Sequence, residues 1–62
     1  MRPYLFGNYG GTWLDLDHIL AIEPSEQYLA VKLEMAFRNE PVWINYHEPS
    51  DLPNLIETWK AK

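Results

Sequence analysis

The sequence has no cysteine among its 62 residues, which excludes both a disulfide framework and a metal site built on thiolates. Basic residues are also few, because five Lys and Arg stand against nine Asp and Glu and leave a net charge of −4. A protein that binds duplex nucleic acid needs a basic surface to displace counterions, so we expect no duplex nucleic acid as a partner. No apolar run approaches the ~20 residues of a transmembrane helix, so we expect no membrane partner.

Aromatic residues are plentiful by contrast, with three Trp, four Tyr and two Phe. A chain of this length forms one domain, here residues 1–62, and buries only about 60% of its unfolded surface. Small domains without disulfides often gain stability by self-association. We therefore expect a homo-oligomer or a complex with a protein partner, located in the cytoplasm of a cell or of an infected host cell.

In the C-terminal half, apolar residues recur at two different spacings. The odd residues of Leu29–Phe37 and the even residues of Val42–Tyr46 are apolar, and this alternation predicts two strands with one apolar face each. Apolar residues then recur at helical spacing, which predicts a helix that begins at Ser50 or Asp51 and ends at about Ala61. The apolar stripe expected to hold this helix on the sheet consists of Leu52, Leu55, Ile56 and Trp59.

The N-terminal half is less regular and predicts short elements. In order along the chain these are a strand at 2–6, a glycine turn at 7–11, a strand at 13–16, a bulge or tight turn at 17–19, a strand at 20–23 and a turn at 24–27. Together the two halves predict an α+β fold, in which a small antiparallel sheet of three to four strands carries one C-terminal helix packed on one face.

The register of the C-terminal hairpin follows from the requirement that its apolar residues share one face. With a two-residue loop at 39–40, Phe37 pairs with Val42. Leu33 then pairs with Tyr46, and a four-residue loop keeps the same phase.

This register places Trp43 on the sheet face opposite the helix, with the small Ala36 beside it. Tryptophan on an otherwise polar sheet face is a usual anchor for a protein contact. We therefore predict an interaction surface made of Trp43, Tyr28, Ala30, Ala36 and Asn45. Two alternatives stay open: an N-terminal aromatic residue covers Trp43 and forms a second small core, or the ring stacks on a single-stranded base.

The densest group of chemically active side chains is Asp15, Asp17 and His18. Two carboxylates are too few for a hard cation, which takes about six oxygen ligands, and no third ligand joins His18 and His47. The sequence also contains no nucleophile elbow, no glycine-rich phosphate loop and no metal-ligand spacing. We therefore predict no catalytic residue, no cofactor, no metal ion and no enzymatic activity.

The segment 10–23 contains a glycine pair, a short strand and then the pattern Asp, x, Asp, x, Ile, x, x, Ile, Glu. In this pattern Asp15, Ile19, Ile22 and Glu23 match the small flagellar FlbD-like proteins of swarming motility, which the chain resembles over residues 10–61. The resemblance implies a hairpin followed by a C-terminal helix, and it brings no catalytic residue.

These observations favour a non-enzymatic protein-interaction module that self-associates and docks through its aromatic sheet face. One alternative is a small acidic phage-type inhibitor or regulator, such as an anti-defence protein or a nucleic-acid mimic, which needs a spaced acidic row. That row would consist of Asp15, Asp17, Glu23, Glu26, Glu34 and Glu48. A third candidate is a single-stranded RNA binder, which needs Arg2, Lys32 and Arg38 beside exposed aromatic rings.

Overall fold

Two antiparallel sheets and one helix make up the fold, seen in a computed structural model that describes residues 1–7 and 11–61. The elements are β1 (Pro3–Phe6), β2 (Thr12–Asp15), a 3-10 turn (Leu16–His18), β3 (Ile19–Pro24), β4 (Ala30–Met35), β5 (Val42–Asn45) and α1 (Asp51–Lys60). β1 pairs with β2, while β3, β4 and β5 form a separate sheet with β4 in the middle. The predicted α+β class with a C-terminal helix is confirmed, and the strands are divided between two sheets.

The β1–β2 hairpin has one buried and one exposed face. Tyr4 pairs with Leu14, and Leu5 pairs with Trp13. Since side chains alternate along a strand, Leu14 and Phe6 turn into the core, whereas Leu5 and Trp13 turn outward. In the strand predicted at 13–16, alternation of side chains places Trp13 on the face opposite Leu14, and the structure agrees.

Glycine is required on both sides of the turn predicted at 7–11, of which residues 8–10 lie outside the described residues. Gly7 has φ 108° and Gly11 has φ 78°, values that side chains with a Cβ rarely adopt. A Cβ on Gly7 would lie 3.0 Å from Ile44 Cγ2 and 3.2 Å from the backbone oxygen of Asn45. The end of β1 therefore packs directly against β5.

The segment predicted as a bulge or tight turn contains both. Asp15 begins the 3-10 turn, because its side chain accepts a hydrogen bond from Asp17 N. The pairing of β3 with β4 then shifts between Ile19 and Ala21, which leaves Leu20 as the extra, exposed residue of a bulge. The turn and the bulge together redirect the chain from the hairpin into the second sheet.

The hairpin register predicted from the sequence is wrong by four residues. Leu33 pairs with Val42 rather than with Tyr46, and β4 ends before Phe37, whose φ is 67° and whose side chain is 94% exposed. A shift by four preserves the alternation, so the hydrophobic pattern is satisfied equally well by both registers. The chain instead turns at 35–38, where Arg38 N donates to Met35 O over 3.3 Å.

The core lies between the inner face of the three-stranded sheet, the β1–β2 hairpin and α1. Its members are Phe6, Leu14, Leu16, Ile19, Val31, Leu33, Ile44, Tyr46 and Leu55. The rings of Phe6 and Tyr46 lie 5.6 Å apart between centroids, so the hairpin contacts the chain just after β5. Each strand, the 3-10 turn and the helix contribute at least one large apolar side chain to this cluster.

The helix packs as its spacing predicts, with one difference at its edge. Leu55 is fully buried, and Leu52 and Trp59 pack against the core, whereas Ile56 is half-buried at the border of the stripe. Ser50 occupies the N-cap position without a side-chain hydrogen bond there. The predicted stripe is thus confirmed at Leu52, Leu55 and Trp59.

Candidate interaction surfaces

The outer face of the three-stranded sheet points away from the core. We define the outer face as Ala21, Glu23, Ala30, Lys32, Glu34, Trp43 and Asn45, which alternate with the core-facing residues of β3, β4 and β5. Trp43 lies on its edge strand and is 59% exposed. The predicted direction of Trp43, away from the helix, is confirmed.

A row of three side chains crosses the outer face at Trp43. Lys32 pairs with Trp43 on one side and with Glu23 on the other. The Lys32 ammonium lies 2.8 Å from the Glu23 carboxylate, and this hydrogen bond, with the carboxylate charge, raises the pKa of Lys32. The charges beside Trp43 therefore compensate one another, and the indole is the large apolar group of the row.

The five residues of the predicted interaction surface are only partly brought together. Trp43 and Asn45 are exposed on the outer face, and Tyr28, which is 71% exposed, lies in the bend before β4. Ala30 belongs to the outer face but is only 6% exposed. Ala36 does not neighbour Trp43: because of the four-residue shift, Lys32 takes that place and Ala36 lies in the turn after β4.

The alternative in which N-terminal aromatic residues cover Trp43 fails for those in the described ranges. Tyr4 and Phe6 pack in or against the core on the other side of the sheet, and Trp13 is itself 69% exposed. Tyr9 lies outside the described residues. Trp43 thus forms no second small core with any aromatic residue that the structure describes near the N-terminus.

The edges of the three-stranded sheet are poorly suited to pairing with another strand. Tyr46 N donates to Leu29 O, so in β5 it is the backbone groups of Trp43 and Asn45 that point to the free edge. Gly7 approaches Asn45 O there. Pro41 before β5 and Pro24 in β3 lack an N–H group, as is typical of protected edges. A partner is therefore better accommodated on a face of the sheet than along its edge.

The acidic group at 15–18 forms a structural clamp around Arg2. The Nε of Arg2 donates to Asp17 Oδ1 over 2.6 Å, and its guanidinium also donates to the backbone oxygens of Thr58, Trp59 and Ala61. A cation at these carbonyls complements the negative end of the helix dipole. The clamp therefore joins the beginning of the chain to the end of α1.

Both carboxylates of this clamp are held in their charged form. The hydrogen bond from the Arg2 side chain lowers the pKa of Asp17, and the hydrogen bond from the Arg2 backbone N–H lowers the pKa of Asp15. His18 Nδ1 lies 3.5 Å from Asp15 Oδ2. These bonds give the densest acidic group of the sequence a role in stability.

Over residues 1–7 and 11–61, no three or more His, Asp or Glu side chains are grouped to hold a metal ion. Within the same ranges no helix has the length and apolar character needed to cross a membrane.

A groove that the sequence did not reveal lies between β2 and the turn after β4. It has a volume of about 320 Å³ and is lined by residues that include Trp13, His18, Met35, Ala36, Arg38 and Val42. Phe37 stands beside it, with its ring edge-on to His18 at 5.6 Å between centroids. The alternation of Leu29–Phe37 predicts that Phe37 faces the core, so it gives no signal for this groove.

Comparison with protein-family models, with curated proteins and with solved structures finds no match for this chain. The resemblance to FlbD-like proteins stays a prediction, and function is argued from the surfaces alone.

Proposed function

We propose that this protein is a non-enzymatic interaction module that self-associates through the outer face. The single observation that carries the proposal is the exposure of Trp43, at 59%, beside a charge-compensated pair on a regular sheet face. Burial of a large apolar side chain is worth about 1.5–3 kcal/mol. Trp43 stays mostly exposed in one folded copy, so most of this free energy is not gained on folding. Burial of the indole by a second copy would gain it.

The size of the outer face sets the strength of this association. Three strands about 4.8 Å apart and roughly six residues long make a face of on the order of 300 Å², while a standard interface buries about 800 Å² on each partner. In addition, each copy carries a net charge of −4, so two copies repel one another. We therefore propose a weak dimer that strengthens when salt screens the repulsion.

Sedimentation equilibrium tests the proposal with a matched pair of variants. The apparent mass of the parent should rise above 7.3 kDa with protein concentration. Trp43→Ala should remain monomeric with an unchanged fold. Trp13→Ala removes a somewhat more exposed indole from another surface and should behave like the parent. A parent that stays monomeric at millimolar concentration, or a loss of association in both variants, would refute the proposal.

A nucleic-acid mimic receives less support, because half of its acidic row is engaged within the fold. Asp15 and Asp17 are bonded in the Arg2 clamp, and Glu23 is paired with Lys32. An RNA binder is likewise disfavoured, since Arg2 and Lys32 belong to these same pairs rather than to a basic surface.

A cytoplasmic location and kinship with FlbD-like proteins complete the proposal. The hairpin followed by a helix agrees with the kinship, and fluorescence of a tagged copy in the native host tests the location.

A further inference from the structure

We propose that the groove between β2 and the turn after β4 is a second binding site. Its occupant is a peptide segment of a partner protein that presents an apolar side chain with a carboxylate next to it. The site is independent of the outer face, because its lining comes from β2, His18, the segment 35–38 and Val42 and includes none of the residues that define the outer face.

The backbone at Phe37 is the first observation behind this site. Phe37 is the one non-glycine residue with positive φ among residues 1–7 and 11–61, a position that ordinarily favours glycine or asparagine. Its side chain gains almost no burial there. Stability of the fold does not explain a phenylalanine held in a costly conformation and directed into solvent, whereas binding does.

The second observation is the apolar character of the groove beneath Trp13. Val42, Met35 and Ala36 contribute apolar groups to its lining, and the exposed indole of Trp13 forms one wall. Its volume of about 320 Å³ is at the lower limit of the 300–1,000 Å³ that is usual for small-molecule sites. The groove therefore suits one or two inserted side chains better than a cofactor.

The charge at the mouth of the groove defines the rest of the occupant. Arg2 and Lys32 have carboxylate partners, but the side chain of Arg38 has no hydrogen bond or ion pair within the described part of the chain. Glu34 and Glu40 line a separate groove on the other side of Arg38 without pairing to it. The planar guanidinium of Arg38 is thus free to bind a carboxylate in the Trp13 groove.

Asp15, the acidic residue among the groove-lining side chains, is charged and disfavours a second carboxylate next to it, which leaves Arg38 as the place for the carboxylate of the occupant. Its oxygens accept bonds from the backbone N–H groups of Arg2 and Asp17 and lie close to His18. The carboxylate of the occupant belongs at the Arg38 end, and its apolar side chain belongs between Trp13 and Val42.

Titration of the isotope-labelled full chain with defined peptides tests the site by NMR. The probe is the blocked peptide acetyl-Gly-Glu-Phe-Glu-Gly-amide, and the matched peptide carries lysine in place of both glutamates. The indole N–H of Trp13 and the amide of Arg38 should shift and saturate, whereas the indole of Trp43 should not move. The glutamate peptide should bind about fivefold more tightly than the lysine peptide.

The variant that discriminates best is one in which the charge of Arg38 is reversed. Arg38→Glu should invert the preference between the two peptides, while Lys60→Glu, with the same change in net charge on α1, should leave the preference unchanged. The site is refuted if the peptides bind equally, if neither binds at millimolar concentration, or if the shifts centre on Trp43. Concentration-dependent shifts of Trp13 without peptide would also refute it, because a second copy would then be the occupant.

Phe37→Gly separates a binding role from a structural one. Glycine adopts positive φ without strain, so the melting temperature should stay the same or rise. Affinity for the glutamate peptide should fall by about fivefold or more, as for an aromatic contact residue. A lower melting temperature with unchanged peptide affinity would show that Phe37 serves the fold and would contradict the proposal.

Discussion

The indole N–H of Trp59 donates a hydrogen bond to the backbone oxygen of Ile19 over 3.2 Å. This bond joins α1 to the first residue of β3, where the chain leaves the 3-10 turn. Trp59 also packs against the core together with Leu52. One side chain therefore both covers apolar surface and fixes the position of the helix along the sheet.

Replacement of Trp59 should show that α1 is held by packing. A ten-residue helix does not persist by itself, so Trp59→Ala should cost about 3–5 kcal/mol of unfolding free energy. Trp59→Phe keeps an aromatic ring but loses the bond to Ile19 and part of the indole bulk, so it should cost less, about 1–2 kcal/mol. Urea denaturation measures both values. An alanine variant as stable as the parent would mean that the helix is not docked through Trp59.

The clamp around Arg2 should make stability depend on acid pH. The pKa of Asp17 is lowered in the fold, above all by its bond to Arg2. The contribution of Asp17 to the free energy of unfolding is therefore fully present above the pKa of the unfolded chain, about 3.9. It is lost as the pH falls through the lower pKa of the folded state. Melting temperatures between pH 6 and pH 2 should fall less steeply in Arg2→Ala than in the parent.

Arg38→Ala is the control for this pH dependence, because it removes an equal charge outside the clamp. It should keep the slope of the parent. Identical slopes in all three proteins would show that the Arg2 clamp does not contribute to the acid transition.

The two glycines that flank the first turn should respond differently to alanine. A Cβ on either glycine lies 3.2–3.3 Å from a backbone oxygen, but on Gly7 it also meets the buried Ile44, whereas on Gly11 it meets the partly exposed side chain of Leu5, which can move. Both positions have positive φ. Thermal or chemical denaturation should show losses of about 1–3 kcal/mol, with Gly7→Ala the larger. The reverse order would contradict the close approach of β1 to β5.

Duplex DNA should not bind at physiological salt. The net charge is −4, and two of the cations, Arg2 and Lys32, are engaged in ion pairs. Filter binding should therefore give no signal at micromolar protein. A signal that falls steeply with added salt would reveal a basic surface that these pairs do not permit.

Much of the fold follows from local periodicity, and the differences have physical causes. Strands β4 and β5 and the helix are predicted because periods of two and 3.6 residues each leave one apolar face. The register of the hairpin cannot be predicted in this way, because a shift by an even number of residues leaves every side chain on the same face of the sheet. The alternation also predicts Phe37 in the strand, whereas its backbone turns out of the strand. Turn geometry decides such a register, and the loop contains no Asn-Gly signal.

The candidate interaction surface was likewise only partly predictable from the sequence. The outward direction of Trp43 follows from alternation alone, but Ala36 was misplaced because its position depends on the register. The Arg2 clamp has no local signal at all, since it joins residue 2 to the end of α1. The groove beside Trp13 depends on that tertiary arrangement as well, and so it emerges only in three dimensions.

The indole N–H signals of the three tryptophans test the central claim in one NMR experiment. Trp43 reports on the outer face, Trp13 on the groove and Trp59 on the packing of α1. As the protein is concentrated from micromolar to millimolar, we predict that the Trp43 signal moves toward a limiting position while the other two stay fixed. A Trp43 signal that is independent of concentration, or one that moves no more than the Trp13 signal, would contradict docking through the outer face.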